Sequence, residues 1–113
     1  MGHFTMSMQA GEFWLADIPF TDGTASKVRP VLILWLDGRD AVVAAVTSAA
    51  PRTATDVSLT DWRAEGLRVA STVRLSRLDC LEQSLLFRRL GAISASDTQQ
   101  LKSTWNLYVK PQF

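Results

Sequence analysis

The sequence predicts an α+β fold, in which five or six short strands form a small barrel, with one short inserted helix and a helix at the C-terminus. Residues 31–36 are apolar at every position, which is typical of a strand covered on both faces. Asp37-Gly38 follows directly and is a strong signal for a tight hairpin turn. Leu101 and Trp105 recur at helical spacing, so the C-terminal segment should pack one helical face on the sheet.

The length and charge of the chain limit what it can be. Its 113 residues suffice for one core, so we expect a single domain over 1–113, with 1–10 as a flexible N-terminal tail. Hydrophobic residues make up 47% of the chain, but no apolar run is long enough to cross a bilayer, which excludes a transmembrane protein. The net charge of +1 does not by itself predict a nucleic-acid partner.

Arginine and cysteine usage narrow the class of protein further. Between Arg68 and Arg89 the chain has five arginines and only two acidic residues, so this region is either a basic binding surface or an ordinary solvated face. Cys80 is the only cysteine, which rules out an internal disulfide and fits a reducing cytoplasm. Its neighbours Leu78 and Leu81 predict that it is buried.

The first half of the chain predicts three strands. Residues 13–18 form the first, and Pro19 ends it because proline has no N–H for a ladder bond. Residues 19–28 are small and polar, which predicts either a mobile loop that closes over a ligand or a plain hairpin connection. The next two strands cover 29–36 and 41–48 and pair about the turn already described.

The second half predicts two or three more strands and the helices. A short extended piece at 56–59 precedes a brief helix that Thr60 caps and Gly66 ends. The alternation of residues 71–81 is interrupted, which predicts a strand with a bulge near Arg77. The remaining elements are a strand at 85–93 and a final helix that begins near the capping-box pair Ser96 and Gln99 and ends at Lys110-Pro111.

Two polar residues stand at the ends of neighbouring apolar strands: Arg29 opens one and Thr47 closes the next. In a hairpin these two ends lie side by side, so a guanidinium and a hydroxyl should meet at one mouth of the sheet. An arginine on a rigid strand can clamp a phosphate and stabilise the charge of a transition state. The sequence therefore predicts an active site at Arg29 and Thr47, while the alternative is that Arg29 only caps a strand or pairs with Asp17.

The proton carrier for such a site does not stand out. The single histidine is His3 in the N-terminal tail, and arginine is a poor base at its ordinary pKa. Glu12 and Asp17 are candidates because they lie near Arg29 in the sequence, but a structural role fits each of them better. The sequence predicts no metal site and no cofactor.

Four motifs occur in a distinctive order: Gly11-Glu12-Phe13-Trp14, Arg29-Pro30 before an apolar strand, Val46-Thr47-Ser48, and Ser71 to Leu75. With these motifs the chain resembles the MazF/PemK family of toxins from type II toxin–antitoxin systems, from about Gly11 to Tyr108. The first loop departs from that family, because Gly23-Thr24-Ala25-Ser26 stands where many members have Gly-Ser-Glu-Gln. The RNA sequence that members cleave is therefore not carried over.

The resemblance implies an SH3-like barrel that forms a homodimer in the cytoplasm. It implies a metal-independent, sequence-specific endoribonuclease that cuts single-stranded RNA such as mRNA, leaves 2′,3′-cyclic phosphate ends and is inhibited by a cognate antitoxin. Carried over by position, the catalytic residues are Arg29 and Thr47. The residues expected to contact RNA are Lys27, Ser48, Arg74 and Arg77.

Two other functions remain open at this point. A non-enzymatic gyrase inhibitor like CcdB would have the same fold, but the chain ends in Lys110-Pro111-Gln112-Phe113 and lacks the Trp-Gly-Ile ending of that family. A catalytically silent RNA-binding barrel would bind RNA without cleaving it.

Overall fold

The computed structural model describes residues 7–113. This part of the chain has six strands, a 3₁₀ turn and one α-helix, which confirms the α+β class. The elements are β1 (Glu12–Pro19), β2 (Ser26–Asp37), β3 (Asp40–Thr47), β4 (Asp56–Ser58), β5 (Thr72–Glu82), the 3₁₀ turn Gln83–Leu85, β6 (Leu86–Ala92) and α1 (Ala95–Tyr108).

The strands form one antiparallel sheet in the order β4-β5-β3-β2-β1-β6. The edge strands β4 and β6 do not pair with each other, so the closed barrel that we predicted is not formed. The connection between β4 and β5 contacts β6 instead. A Cβ atom on Gly66 would lie 2.0 Å from the carbonyl oxygen of Leu90, so the two backbones touch where a barrel would close by strand pairing.

Each face of the sheet has its own hydrophobic cluster. The cluster on one face contains Phe13, Leu32 and Val46 and is completed by Leu101 of α1, so we call it the helix face. The opposite face, which we call the open face, contains the second cluster. Its members are Trp14, Ala16, Val31, Ile33, Ala41, Val43, Leu81 and Leu86. Alternation along a strand therefore decides which face each side chain reaches.

The first hairpin is longer than predicted. β2 begins at Ser26 and pairs with the end of β1 as far as Pro19, so the expected long loop shrinks to residues 20–25. Lys27 pairs opposite Ile18 in this extension. Pro19 is tolerated because it is the last residue of its strand. Lys27 is thus held on a strand rather than on a mobile loop.

The predicted bulge in β5 is confirmed. Ala44 of β3 pairs with Leu78, whereas the next residue, Ala45, pairs with Arg74. Residues 75–77 therefore have no partner on β3, and the N–H of Leu75 instead donates to the carbonyl of Thr55 at 3.1 Å. The bulge changes the direction in which the following residues project.

The short inserted helix was predicted wrongly, because the segment is a hydrogen-bonded turn. Only one α-helical bond forms in this segment, from the N–H of Glu65 to the carbonyl of Asp61 at 3.0 Å. Asp97 of α1 accepts hydrogen bonds from the N–H and hydroxyl of Thr60 and from the N–H of Asp61, at 3.0, 2.7 and 3.0 Å. Thr60 is therefore bound to α1 and does not cap a helix.

Two smaller expectations also differ. α1 is capped by Ser94, whose hydroxyl accepts from the N–H of Asp97 at 3.1 Å, and not by Ser96. Cys80 is exposed, not buried. Of the tail expected at residues 1–10, residues 1–6 lie outside the described residues. Met8, within the described part, packs against the open-face cluster. No helix among residues 7–113 is long and apolar enough to cross a membrane.

Candidate active site

The ends of β2 and β3 bring Arg29 and Thr47 together. Val31 pairs with Ala45 in the antiparallel ladder, and carrying this register two residues further sets Arg29 opposite Thr47. Both residues follow the alternation of Val31 and Val43, so their side chains belong to the open face. They line the same cleft, which has a volume of about 450 Å³ and which we call the site cleft.

The site cleft has an apolar floor and a cationic rim. Val31, Val43 and Ala45 lie on the floor, and Thr47 stands beside them. The cationic lining residues are Lys27, Arg29, Arg52, Arg74 and Arg77. Asp79 is the only carboxylate among the lining residues. This excess of positive charge attracts a polyanion, and the apolar floor gives an uncharged surface for a base or ribose.

Arg29 is free to bind a ligand. Its side chain is exposed, and it forms no ion pair with any residue of the described range 7–113. Its backbone is fixed, because Arg29 pairs with Ala16 on β1, and Ala16 is fully buried. A guanidinium held on a rigid strand without a protein carboxylate is suited to a bidentate contact with a phosphate.

The hydroxyl of Thr47 is oriented by the chain that follows it. Thr47 Oγ1 accepts a hydrogen bond from the N–H of Ala49 at 3.2 Å. Ala49 is held in turn, because its carbonyl accepts from the hydroxyl of Thr72 at 2.9 Å. Since Thr47 uses its oxygen as an acceptor here, its proton is available to donate to a phosphate oxygen in the cleft.

Arg74 is held by a buried carboxylate. Its Nε atom lies 3.2 Å from Oδ1 of Asp56, whose side chain is only 1% exposed. Burial alone would raise the pKa of Asp56, but hydrogen bonds from the N–H of Arg52 and from Arg74 outweigh it and lower the pKa. Asp56 therefore stays ionised, and the pair fixes Arg74 at the cleft through Nε, leaving its two Nη groups free of it.

The other expected RNA contacts divide between two clefts. Arg77 lines the site cleft from the exposed β5 bulge. Ser48 lines only a second cleft, of about 580 Å³. Lys27, Arg29, Val46 and Thr47 line both clefts. The structure therefore brings five of the six predicted site residues to one cleft and leaves Ser48 beside it.

The two carboxylates considered as proton carriers are not placed alike. Glu12 is buried and accepts from Arg89 at 2.7 Å, from Trp14 Nε1 at 3.1 Å and from the N–H of Gln9 at 2.9 Å. Burial raises the pKa of Glu12, but these hydrogen bonds outweigh it and lower the pKa, so its role is structural. Asp17 neighbours Ile18, a residue of the site cleft, but alternation directs its side chain to the other face.

The sequence reasoning missed some cleft residues. Arg52 and Asp79 line the site cleft, and Arg68 and Arg88 line the second cleft. The excess of arginine between Arg68 and Arg89 was the signal for the latter two. Nothing local distinguishes Arg52, because the pairing of β4 with β5 brings it to the cleft. Residues 7–113 contain no group of three side chains suited to hold a metal ion.

Comparison with known proteins gives one family and several similar folds. A family model described as PemK-like, MazF-like toxin of type II toxin–antitoxin system matches residues 9–108. A search among curated proteins finds no match.

Three solved structures illustrate the similarity of fold. An endoribonuclease from a mycobacterial species is 16% identical, with a TM-score of 0.72 and coverage of 98% of this chain and 99% of that one. The Mycobacterium tuberculosis toxin MazF-mt6 is 23% identical, with a TM-score of 0.66 and coverage of 87% and 98%. A MazE-MazF structure from Deinococcus radiodurans is 19% identical, with a TM-score of 0.69 and coverage of 92% and 98%.

Proposed function

The chain belongs to the PemK-like, MazF-like family of toxins from type II toxin–antitoxin systems, and from that membership we propose that it is a sequence-specific endoribonuclease that cleaves single-stranded RNA, including mRNA. One observation carries the proposal: Arg29 and Thr47 line one cationic cleft, although they come from different strands. Similar folds among named endoribonucleases are consistent with it.

In the proposed reaction the RNA supplies its own nucleophile. The 2′-hydroxyl attacks the adjacent phosphorus, the bond to the 5′-oxygen breaks, and the products are a 2′,3′-cyclic phosphate and a 5′-hydroxyl. Solvent water takes the proton of the 2′-hydroxyl and supplies the one that the leaving 5′-oxygen gains, and Arg29 stabilises the developing charge in place of a metal ion. The phosphorane-like transition state carries more negative charge on its oxygens than the substrate.

Arg29 supports this reaction by binding the nonbridging phosphate oxygens through charge-assisted hydrogen bonds that strengthen as the charge develops. Thr47 donates its hydroxyl proton to one of these oxygens, since its own oxygen is occupied by the N–H of Ala49. Because both groups stand on paired strands, little reorganisation is needed when the transition state forms.

The remaining predicted cations bind the RNA next to the reacting phosphate. Lys27, Arg74 and Arg77 contact the backbone along the site cleft, and Ser48 donates a hydrogen bond next to Thr47. Arg74 is the most constrained of them because of its pair with Asp56. Such contacts make binding depend on the salt concentration.

The proposal includes partners and assembly. The chain acts as one toxin domain in the cytoplasm, as a homodimer whose SH3-like barrels are open at the seam between β4 and β6. An antitoxin inhibits it by covering the cationic clefts with an acidic segment. One similar structure is an endoribonuclease in complex with its cognate antitoxin, which supports a partner of this kind.

The direct test is cleavage of mixed-sequence single-stranded RNA by the purified protein in the presence of EDTA. We expect cleavage at a short sequence, with 2′,3′-cyclic phosphate and 5′-hydroxyl ends identified by enzymatic end-labelling. RNA that stays intact with the folded protein would contradict the proposal. RNA that is bound but not cut would assign the chain to RNA binding alone.

A further inference from the structure

The second cleft lies on the other side of the strand ends that carry Arg29 and Thr47. We propose that this cleft is a separate subsite for nucleotides on the side of the reacting phosphate opposite to the site cleft, and that Arg68 and Arg88 bind the phosphates there. The inference rests on the proposed ribonuclease function, because only that function defines a reacting phosphate. RNA binding to the second cleft can nevertheless be measured without cleavage.

The two clefts share a wall formed by Lys27, Arg29, Val46 and Thr47, and beyond it they adjoin different hydrophobic clusters. The site cleft adjoins Val31 and Val43 of the open-face cluster. The second cleft adjoins Val46, Leu67 and Leu90, which belong to the helix-face cluster or pack against it. The wall between the clefts carries Arg29 and Thr47. An RNA strand whose phosphate rests on this wall therefore continues into one cleft in each direction.

Cleavage inside an RNA molecule requires such a path, because the RNA strand extends on both sides of the bond that breaks. One cleft can hold only one of the two flanks. A cleft of about 580 Å³ falls in the range that accommodates small organic ligands, so it has room for a nucleotide unit.

The lining of the second cleft has the chemistry of a nucleotide subsite. Arg68 and Arg88 add two exposed cations to those on the shared wall, and no carboxylate lines the cleft. Val28 and Val69, each about half exposed, present apolar surface to the same space at 53% and 52% exposure. Cations beside exposed apolar side chains suit a phosphate with its attached sugar and base.

Arg88 and its neighbour Arg89 differ in a way that supports this role. Arg89 pairs opposite Trp14, which lies in the open-face cluster, and its Nε atom binds Glu12 at 2.7 Å. Arg88 pairs opposite Leu15 and lines the second cleft with it. Within the described range 7–113, Arg88 forms no ion pair. One arginine of the pair is thus used by the fold, and the other is left for a ligand.

The second cleft is also firmly built. Gly66 stands in contact with the backbone of Leu90 on one wall. The hydroxyl of Ser71 donates to the carbonyl of Val69 at 2.7 Å, and the carbonyl of Ser71 accepts from the N–H of Leu59 at 3.0 Å, which joins the two ends of the segment. Arg68 therefore projects from a segment that is anchored on both sides, so the backbone of Arg68 is in place before a ligand binds.

The test measures RNA binding to full-length protein at a series of KCl concentrations. The probe is single-stranded RNA that is 2′-O-methylated throughout, so that no attacking hydroxyl remains. Its sequence spans a site that the wild type cleaves, or is mixed if the wild type cleaves none. In Arg68→Ala/Arg88→Ala we expect the slope of log K against log salt to decrease by about 0.7 per lost phosphate contact. The matched control Arg39→Ala/Lys110→Ala removes two exposed cations outside both clefts and should keep the wild-type slope.

Shortening the probe from either end locates the two subsites. When one flank of the probe is removed, Arg68→Ala/Arg88→Ala should no longer weaken binding, whereas Arg52→Ala/Arg77→Ala still should. When the other flank is removed, only Arg68→Ala/Arg88→Ala should weaken binding. If both double variants lose their effect at the same truncation, the two clefts do not hold opposite flanks. A wild-type salt slope in Arg68→Ala/Arg88→Ala overturns the inference.

The outcomes separate the two proposals. A wild type that cleaves RNA while Arg68 and Arg88 prove silent overturns only the second subsite. A wild type that does not cleave RNA but shows the flank-specific pattern overturns the ribonuclease function and leaves a two-cleft RNA-binding site. A wild type that neither cleaves nor binds RNA removes both.

Discussion

Three arginines near the two clefts differ in what holds them. Arg74 is bound to Asp56 and Arg89 to Glu12, and both carboxylates are buried. Arg29 has no such partner among residues 7–113. The carboxylates hold Arg74 and Arg89 in place through their Nε atoms, whereas no carboxylate of the described residues fixes the guanidinium of Arg29. The partners lie 18 and 77 residues apart in sequence, so local pattern could not distinguish the three arginines.

Asp56→Asn tests whether the buried carboxylate positions Arg74. The amide keeps an oxygen for the N–H of Arg52 but loses the charge that fixes the guanidinium. We expect the free energy of unfolding in urea to fall by about 1 to 3 kcal/mol. RNA affinity should fall with it.

The control is Asp22→Asn, because Asp22 also accepts two local hydrogen bonds, both from Thr24, but is fully exposed. Equal stability of the two variants would contradict a positioning role for Asp56.

At the scale of elements, the segment between β4 and β5 fastens three parts of the fold together. Its start is bound by Asp97 of α1, and Glu65 Oε2 accepts from the N–H of Ser94 at 2.8 Å. Near its middle, Gly66 packs on Leu90 of β6. The segment then continues as a wall of the second cleft. Its packing between the unpaired edge strands β4 and β6 therefore also determines the shape of that cleft.

Gly66→Ala should be strongly destabilising. Gly66 has a φ of +92°, and an added Cβ would lie 2.0 Å from the carbonyl oxygen of Leu90. Left-handed strain alone costs about 1 to 2 kcal/mol, and the clash forces the backbones apart in addition. Gly23→Ala measures the strain alone, because Gly23 has a φ of +73° and no atom within 4 Å of an added Cβ, so the difference between the two variants is the cost of the clash. Thermal unfolding provides the measurement. An equal decrease in melting temperature for Gly66→Ala and Gly23→Ala would contradict a clash at Gly66.

Glu65 predicts a pH dependence of stability. It is 1% exposed, and burial together with the neighbouring Asp97 raises its pKa from 4.5 to about 7. The folded protein therefore keeps this proton up to about pH 7, whereas the unfolded chain releases it near pH 4.5. The free energy of unfolding should fall as the pH rises through this window, by up to about 3 kcal/mol, and this contribution should be constant above it.

Glu65→Gln removes this dependence, since the amide is neutral at every pH and can still accept from Ser94. Urea unfolding of both proteins from pH 5 to pH 8 provides the measurement. A wild type whose stability varies over this range no more than that of Glu65→Gln would contradict a buried, protonated Glu65.

At the scale of the whole molecule, what could be predicted depended on how far apart the deciding residues lie. The Asp37-Gly38 hairpin, the β5 bulge and the meeting of Arg29 with Thr47 follow from alternation and turn chemistry within short stretches. The open seam does not, because it depends on contacts between residues near 66 and near 90. The inserted helix also failed on a distant contact. Gly66 has a φ of +92° and packs on the backbone of Leu90, and no second α-helical bond follows the one from Glu65 to Asp61.

The most direct measurement of the central claim is the single-turnover rate of RNA cleavage in EDTA for Arg29→Ala and Thr47→Val, beside Thr47→Ser and Arg39→Ala. We predict that Arg29→Ala loses about two to three powers of ten in rate and Thr47→Val a smaller factor. Thr47→Ser, which keeps the hydroxyl, and Arg39→Ala, which lies outside the cleft, should stay near the wild type. Wild-type cleavage rates in folded Arg29→Ala and Thr47→Val would contradict the claim that these two residues form the active site.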